Sequence, residues 1–273
     1  MSFFPEPPPS WAVLRNKAGE ALLDMLLFYG ETLFSGGRSL LRDGDAFHSG
    51  NAHDCALYRL RKQGIAVMNR HGHEVITVDI SPESRLMRRY LEHPEIYWDR
   101  TWDGIWYVIM YDVPEKERAL RNSFRHICRN WKMGLLQKSV WLTPHDIRAP
   151  FRDLQEVSLL PQYSFLMAMR TVLGLSSREL VLTAWNMIAL EDYQHRYLKE
   201  VASASRYLLA MEDASREELS NLLMQEMLHY STIMCHDPLL PRTLWLEGYP
   251  GPRVVAAHRD FVKHAKKRLK AMA

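Results

Sequence analysis

The chain has 273 residues, 47% of them hydrophobic and 25% charged, with a formal net charge of +3. That length supports two or three domains with real cores, and the near balance of charge excludes a chain that is basic throughout, so any nucleic-acid binding must come from a local patch. Cys55, Cys128 and Cys235 lie far apart with no C-x-x-C spacing, which points to a reducing compartment and away from a thiolate zinc centre.

In chain order, "MSFFPEPPPSW" at residues 1–11 is a proline-rich extended tail, without the basic start and apolar run of a signal peptide. No apolar stretch approaches membrane-spanning length, so the expected setting is the cytoplasm, with no membrane partner. Residues 12–83 show two full helical patterns around a shorter, glycine-limited one, followed by two β-branched runs flanking a polar turn at His71 and Gly72. Helix, short helix, helix and hairpin is the winged helix-turn-helix order, although other small helical domains share it. In the third helix Ala52, Ala56 and Leu60 fall on one face. Asn51, Tyr58, Arg61 and Lys62 fall on the other, with Arg59 on the flank. Asn51, Tyr58, Arg59, Arg61 and Lys62, with Arg70 and His71 of the wing, are the candidate contacts to double-stranded DNA. A solvated helix face is the alternative, and Asp54 favours it because an acid beside phosphates is repelled.

Residues 84–103 read as a linker. Residues 104–174 then read as strand, helix, two short strands kinked near Lys138, a weaker helix and a final strand. This βαββαβ order belongs to the ferredoxin-like split unit, and by itself it fixes no activity. Its first strand, "WYVIMYD", is apolar from Trp106 to Tyr111 and ends on Asp112. That carboxylate is either a helix cap for the segment begun by Val113 and Pro114 or a metal ligand at a strand end. The cap reading is preferred here, because the strand holds no second acid and no histidine.

Residues 175–273 are helical by pattern. Ser176 with Glu179, and Ser215 with Glu218, have capping-box spacing, and Pro252 suits a first helical turn. The last helix carries Arg253, Arg259, Lys263, Lys266, Lys267, Arg268 and Lys270 against one acid, Asp260. This is a solvated end suited to the helix dipole, with an auxiliary phosphate contact as the alternative. The overall fold expected is α+β, a winged helix-turn-helix followed by a ferredoxin-like domain and an all-helical C-terminal domain.

The central "YDVPEKERALRNSFRHICRNW…LLQKSVWLTP" resembles a module shared by the small CRISPR-adaptation nuclease and the PaaX family of transcriptional regulators. "HDPLLPRTLWLEGYPGPRVVAAHRDF" resembles the PaaX C-terminal signature: Asp237, Pro238, Leu240 and Pro241, then Tyr249, Pro250 and Gly251. "GLSSRELVLTAWNMIAL" and "ALYRLRKQGIA" resemble the segments that follow the sheet domain and form the winged helix in that family. The resemblance implies a homodimeric DNA-binding repressor, not an enzyme and without a cofactor, released from its operator by an aryl-acyl-CoA or related aromatic effector. The chain departs from the family pattern at Ser231 and Thr232, where a basic pair is expected, at Trp245 and Leu246, and at Tyr249 in place of a tryptophan. The nuclease relative implies the competing reading, with Asp112 as its metal ligand. A third reading is an interaction module that no longer touches DNA.

Overall fold

The computed structural model describes residues 66–71, 75–80, 90–157, 163–172, 174–210 and 215–271. The chain forms two compact units. The first comprises residues 1–93, 192–236 and 250–273, and the second residues 94–191 and 237–249.

In the first unit, β1 (Ala66–His71) and β2 (Val75–Ile80) pair antiparallel from Ala66↔Ile80 to His71↔Val75. The two expected β-branched runs therefore form the expected hairpin. The three helices expected before it lie outside the described residues.

The second unit is built on a four-stranded antiparallel sheet in the order β4-β5-β3-β6. After the short helix α1 (Glu95–Trp98) come β3 (Trp106–Tyr111), α2 (Arg118–Asn130), β4 (Gly134–Gln137), β5 (Val140–Thr143), α3 (Arg148–Val157) and β6 (Ser164–Met169). This is the ferredoxin-like order expected from the sequence, with the hairpin turn at Lys138 and Ser139. Successive β3 side chains point to opposite faces. Tyr107, Ile109 and Tyr111 enter one core with Phe124 and Cys128 of α2, Trp141 of β5 and Phe151 of α3. Trp106 and Val108 are buried on the other face, where Trp106 lies against Trp102 and Trp185 at centroid distances of 5.2 and 6.4 Å. Burial on both faces explains the unbroken apolar run.

An apolar stripe on α2 faces the core of Tyr107, Ile109 and Tyr111, with Phe124 and Cys128 fully buried and Leu120 and Trp131 packed at its margins. The helix ends on Lys132, which takes the left-handed φ of 59° normally given to glycine. Met133 N–H donates to the Cys128 carbonyl at 3.0 Å in closing that end. The Lys132 carbonyl accepts from Trp185 Nε1 at 3.2 Å.

The segment following the sheet reads in sequence as one helix but forms two, α4 (Ser177–Ala184) and α5 (Met187–Ala210). The break is at Trp185, whose backbone is extended (φ −123°, ψ 143°), and its indole is committed to Lys132 and Trp106. Asn186 then caps the next turn, its Oδ1 accepting from Ala189 N–H at 3.4 Å. The Ser176–Glu179 capping box forms as expected, and so does that of Ser215 and Glu218 at the start of α6 (Arg216–His236). Pro252 occupies the first turn of α7 (Gly251–Ala271). No helix among the described residues is long and apolar enough to cross a membrane.

Gly134 shows how closely α4 approaches the sheet. A Cβ built there would lie 2.6 Å from the Trp185 ring and 2.7 Å from Ala184 Cβ. Gly134→Ala would gain about 0.4–1 kcal/mol from a stiffer unfolded chain. Overpacking against two anchored groups costs about 1–3 kcal/mol. Net destabilisation in a urea melt is the expected result.

Candidate functional site

The D-P-x-L-P turn and the aromatic-Pro-Gly that follows it have a clear physical role in the second unit. Asp237 is fully buried, and its carboxylate accepts from Leu239 N–H at 2.8 Å and from the Tyr249 hydroxyl. The first bond closes an Asx turn that holds Leu239 at a φ of 53°. Pro238, Leu240 and Pro241 are buried behind it. Burial pushes the Asp237 carboxyl up from its usual range, while the two hydrogen bonds and the positive charge of Lys132 draw it back down. A short 3-10 turn, Arg242–Leu244, leads to Trp245, whose Nε1 donates to the Leu240 carbonyl at 2.8 Å. Trp98 of α1 stands edge-on to both Trp245 and Tyr249, at 5.6 and 6.3 Å. The strap 237–249 is thus closed at both ends by one carboxylate and filled by aromatic rings. The Arg242–Asp99 pair on its outside, at 2.5 Å, is more than half exposed and adds little.

His145 belongs to the same assembly. Burial, and secondarily the charge of Arg100, hold its imidazole down at about 4, opposed by the carbonyls of Leu239 and Pro238. Beside it opens a pocket of about 350 Å³ lined by Arg100, Tyr107, Asp146, Arg148 and Pro241, among others. Asp146 holds Arg148 through a two-pronged contact with a closest approach of 2.7 Å. Arg100 lies over the Tyr97 ring at 4.5 Å and has no acidic partner among the described residues. The lining sets two cations, Arg100 and Arg148, against two acids, Asp103 and Asp146.

The first unit holds a second polar assembly that sequence reading missed. Glu226 of α6 is fully buried, and its Oε1 accepts from the Tyr197 hydroxyl of α5 at 2.5 Å and meets His258 Nδ1 of α7 at 2.8 Å. The Tyr230 ring stacks flat on His258 at 3.6 Å, and its hydroxyl donates to the Leu91 carbonyl at 2.7 Å. One carboxylate therefore ties three helices together. The available signal was Glu226 itself, a charged residue on the inward register of Leu219, Leu222, Leu223, Met227 and Tyr230.

Of the residues expected to meet DNA, Asn51, Tyr58, Arg59, Arg61 and Lys62 lie outside the described residues. Arg70 and His71 are in β1 at the turn end of the hairpin, in register with Ile76 and Val75. The expected Asp112 cap does not form. Asp112 is exposed, its N–H continues the β3–β6 ladder to the Tyr163 carbonyl at 2.8 Å, and neither helical start after it has a side-chain cap. The chain turns through Val113 and Pro114 before coiling, which carries the first free N–H groups away from Asp112. Arg121 secures that turn by donating to the Val113 carbonyl at 2.6 Å. No group of three metal-binding side chains occurs among the described residues, and in the Cys235–Asp237 triplet Asp237 is occupied as described above.

The low value at His145 has a pH consequence. Its neutral form is favoured by folding, so the contribution is fully present above the unfolded value of 6.5 and is lost as pH falls toward about 4. The protein should be about 2 kcal/mol less stable at pH 5 than at pH 7 from this group. His145→Gln should flatten that part of the profile in chemical melts. An unchanged slope would show that the imidazole is solvated.

No curated protein matches the chain. The fold is shared with an uncharacterised protein, Rv0674, from Mycobacterium tuberculosis, at 19% identity and a TM-score of 0.51 over 82% of this chain and 84% of that one. Residues 99–181, the segment that carries the split βαββαβ sheet and the start of α4, match the PaaX protein central Cas2-like domain.

Proposed function

We propose that the chain is a DNA-binding transcriptional regulator of the PaaX type, a homodimeric repressor that an aryl-acyl-CoA or related aromatic ligand releases from its operator. The observation that carries this reading is the match of residues 99–181 to the central domain of PaaX proteins. Two features add support: the β1–β2 hairpin at the place of a wing, and the buried Asp237–Tyr249 closure of the strap bearing the C-terminal signature. In this reading residues 12–83 bind DNA, 84–103 link, 104–174 dimerise and 175–273 form the helical domain. Asn51, Tyr58, Arg59, Arg61, Lys62, Arg70 and His71 face the operator. The nuclease alternative has less support, because Asp112 is an exposed carboxylate with no further ligand cluster among the described residues.

The dimer proposal draws on the sheet. Met110 pairs with Phe165 and Val108 with Met167 across β3 and β6, so Met110, Phe165 and Met167 share the outer face, and all three are exposed. Edge strand β6, "SFLMAM", carries no charge to deter pairing.

Two measurements test the proposal. Arg61→Ala with Lys62→Ala should weaken binding to promoter DNA of the protein's own operon in fluorescence anisotropy. Loss of one phosphate contact should also lower the salt slope by about one. Unchanged affinity would remove the helix-turn-helix assignment in favour of the interaction module. Phe165→Glu should shift the protein from dimer to monomer in light scattering at micromolar concentration. A wild-type protein that is monomeric with and without DNA would refute the two-fold arrangement.

A further inference from the structure

We propose that α7 carries a second nucleic-acid contact, an exposed basic stripe that grips the phosphate backbone of duplex DNA without reading bases. The charge of the chain is concentrated there. Helix Gly251–Ala271 has seven basic residues and one acid, a formal +6, whereas the whole chain is only +3, so the remainder is net −3. The helix is also cleanly divided. Val254, Val255, His258, Phe261, Val262, Ala265 and Leu269 are buried and, at about 100° per residue, fall on one side. Arg259, Lys263, Lys266 and Lys267 fall on an adjoining stripe at a spacing of about one helical turn, some 5.4 Å. Arg259, Lys263 and Lys267 are exposed, and Lys266 is partly so.

Neither Lys263 nor Lys267 has an acidic partner among the described residues. Arg259 is positioned by a hydrogen bond of 2.7 Å that it donates to the Glu92 carbonyl. The acid of the helix, Asp260, lies at the margin of the stripe.

The same division selects the partner. An interfacial membrane helix needs an unpartnered apolar face to bury in the acyl region. The apolar face of α7 is already committed to the core of the first unit, with Phe261 and Ala265 fully buried. What remains outside carries no large apolar side chain, only alanines, His264 and charged groups at a linear density suited to a strand of phosphates. Such contacts position a protein and supply salt-sensitive affinity without sequence preference. This surface is independent of the third helix of the proposed winged domain, and the two can fail separately.

The test uses the full chain and two duplexes, promoter DNA from its own operon and an unrelated sequence of equal length, with anisotropy measured across a salt series. Lys263→Gln with Lys267→Gln should weaken binding to both duplexes by roughly tenfold and lower the salt slope by about two, near 0.9 per lost phosphate contact. Lys263→Arg with Lys267→Arg should restore both. Both positions are exposed, so the melting temperature should not move. Promoter binding with an unchanged slope in the Gln variant overturns the α7 contact and leaves the regulator reading standing. An α7-dependent slope alongside indifference to Arg61→Ala and Lys62→Ala supports the contact and removes the winged-helix reading. A wild-type chain that binds neither duplex overturns both, as would a Gln variant that loses binding to phosphatidylserine vesicles while keeping its grip on DNA overturn the assignment of α7 to nucleic acid.

Discussion

The second unit depends on one constraint: five of the six β3 side chains, drawn from both faces, must be dry. The strand sits between β5 and β6 in the sheet, so its backbone groups are paired on both edges, and its side chains require separate cores above and below. One core is supplied by α2 and α3 and the other in part by α4 and the indoles of Trp102 and Trp185. Removing water from one fully buried aromatic or aliphatic side chain is worth about 1.5–3 kcal/mol. Most of β3 gains this, and that gain offsets the left-handed backbone at Lys132 needed to present a carbonyl to Trp185. The absence of a side chain at Gly134 follows from the same demand, since α4 must lie close enough to close the second core.

Each unit also contains a fully buried carboxylate, and the two are used differently. Asp237 satisfies local donors within thirteen residues of chain and so shapes a strap. Glu226 draws its partners from two other helices and so fixes how a bundle packs. A buried charge of this kind is weak as a source of net stability, because its desolvation offsets the bonds it makes. Its effect is on uniqueness: a slip of α5 or α7 by one residue would leave Glu226 facing hydrocarbon. The aromatic stacking of Tyr230 on His258 reinforces the same register.

Much of this architecture was legible in the sequence, for identifiable reasons. Apolar runs and helical spacing revealed the hairpin and the split βαββαβ order, because each is set by which side chains must be buried. The two capping boxes were legible because their chemistry is local, three residues apart. The break at Trp185 was not, since it is imposed by a carbonyl 53 positions earlier in the chain. Asp112 was read as a cap from the Val-Pro that follows, but an extended turn intervenes and the carboxylate stays in water. The D-P-x-L-P signature was visible as a pattern, yet its work was not, because the partner of Asp237 lies across the strap at Tyr249. Glu226 was overlooked because a glutamate in a long helix is ordinarily solvated, and only its inward register marks it out.

The order of the sheet has a consequence for how the protein is made. The central strand β3 is synthesised before either of its neighbours, and its second neighbour, β6, emerges from the ribosome only after both helices of the split unit. At about 5–20 residues per second, the nascent chain displays "WYVIMY" unpaired for several seconds. A run of six apolar and aromatic residues with both edges open is a template for association between neighbouring chains on one message. The flanking Asp103 and Asp112, both exposed in the finished fold, bracket that run with charge during the interval. Their value to the protein thus belongs as much to translation as to the native state.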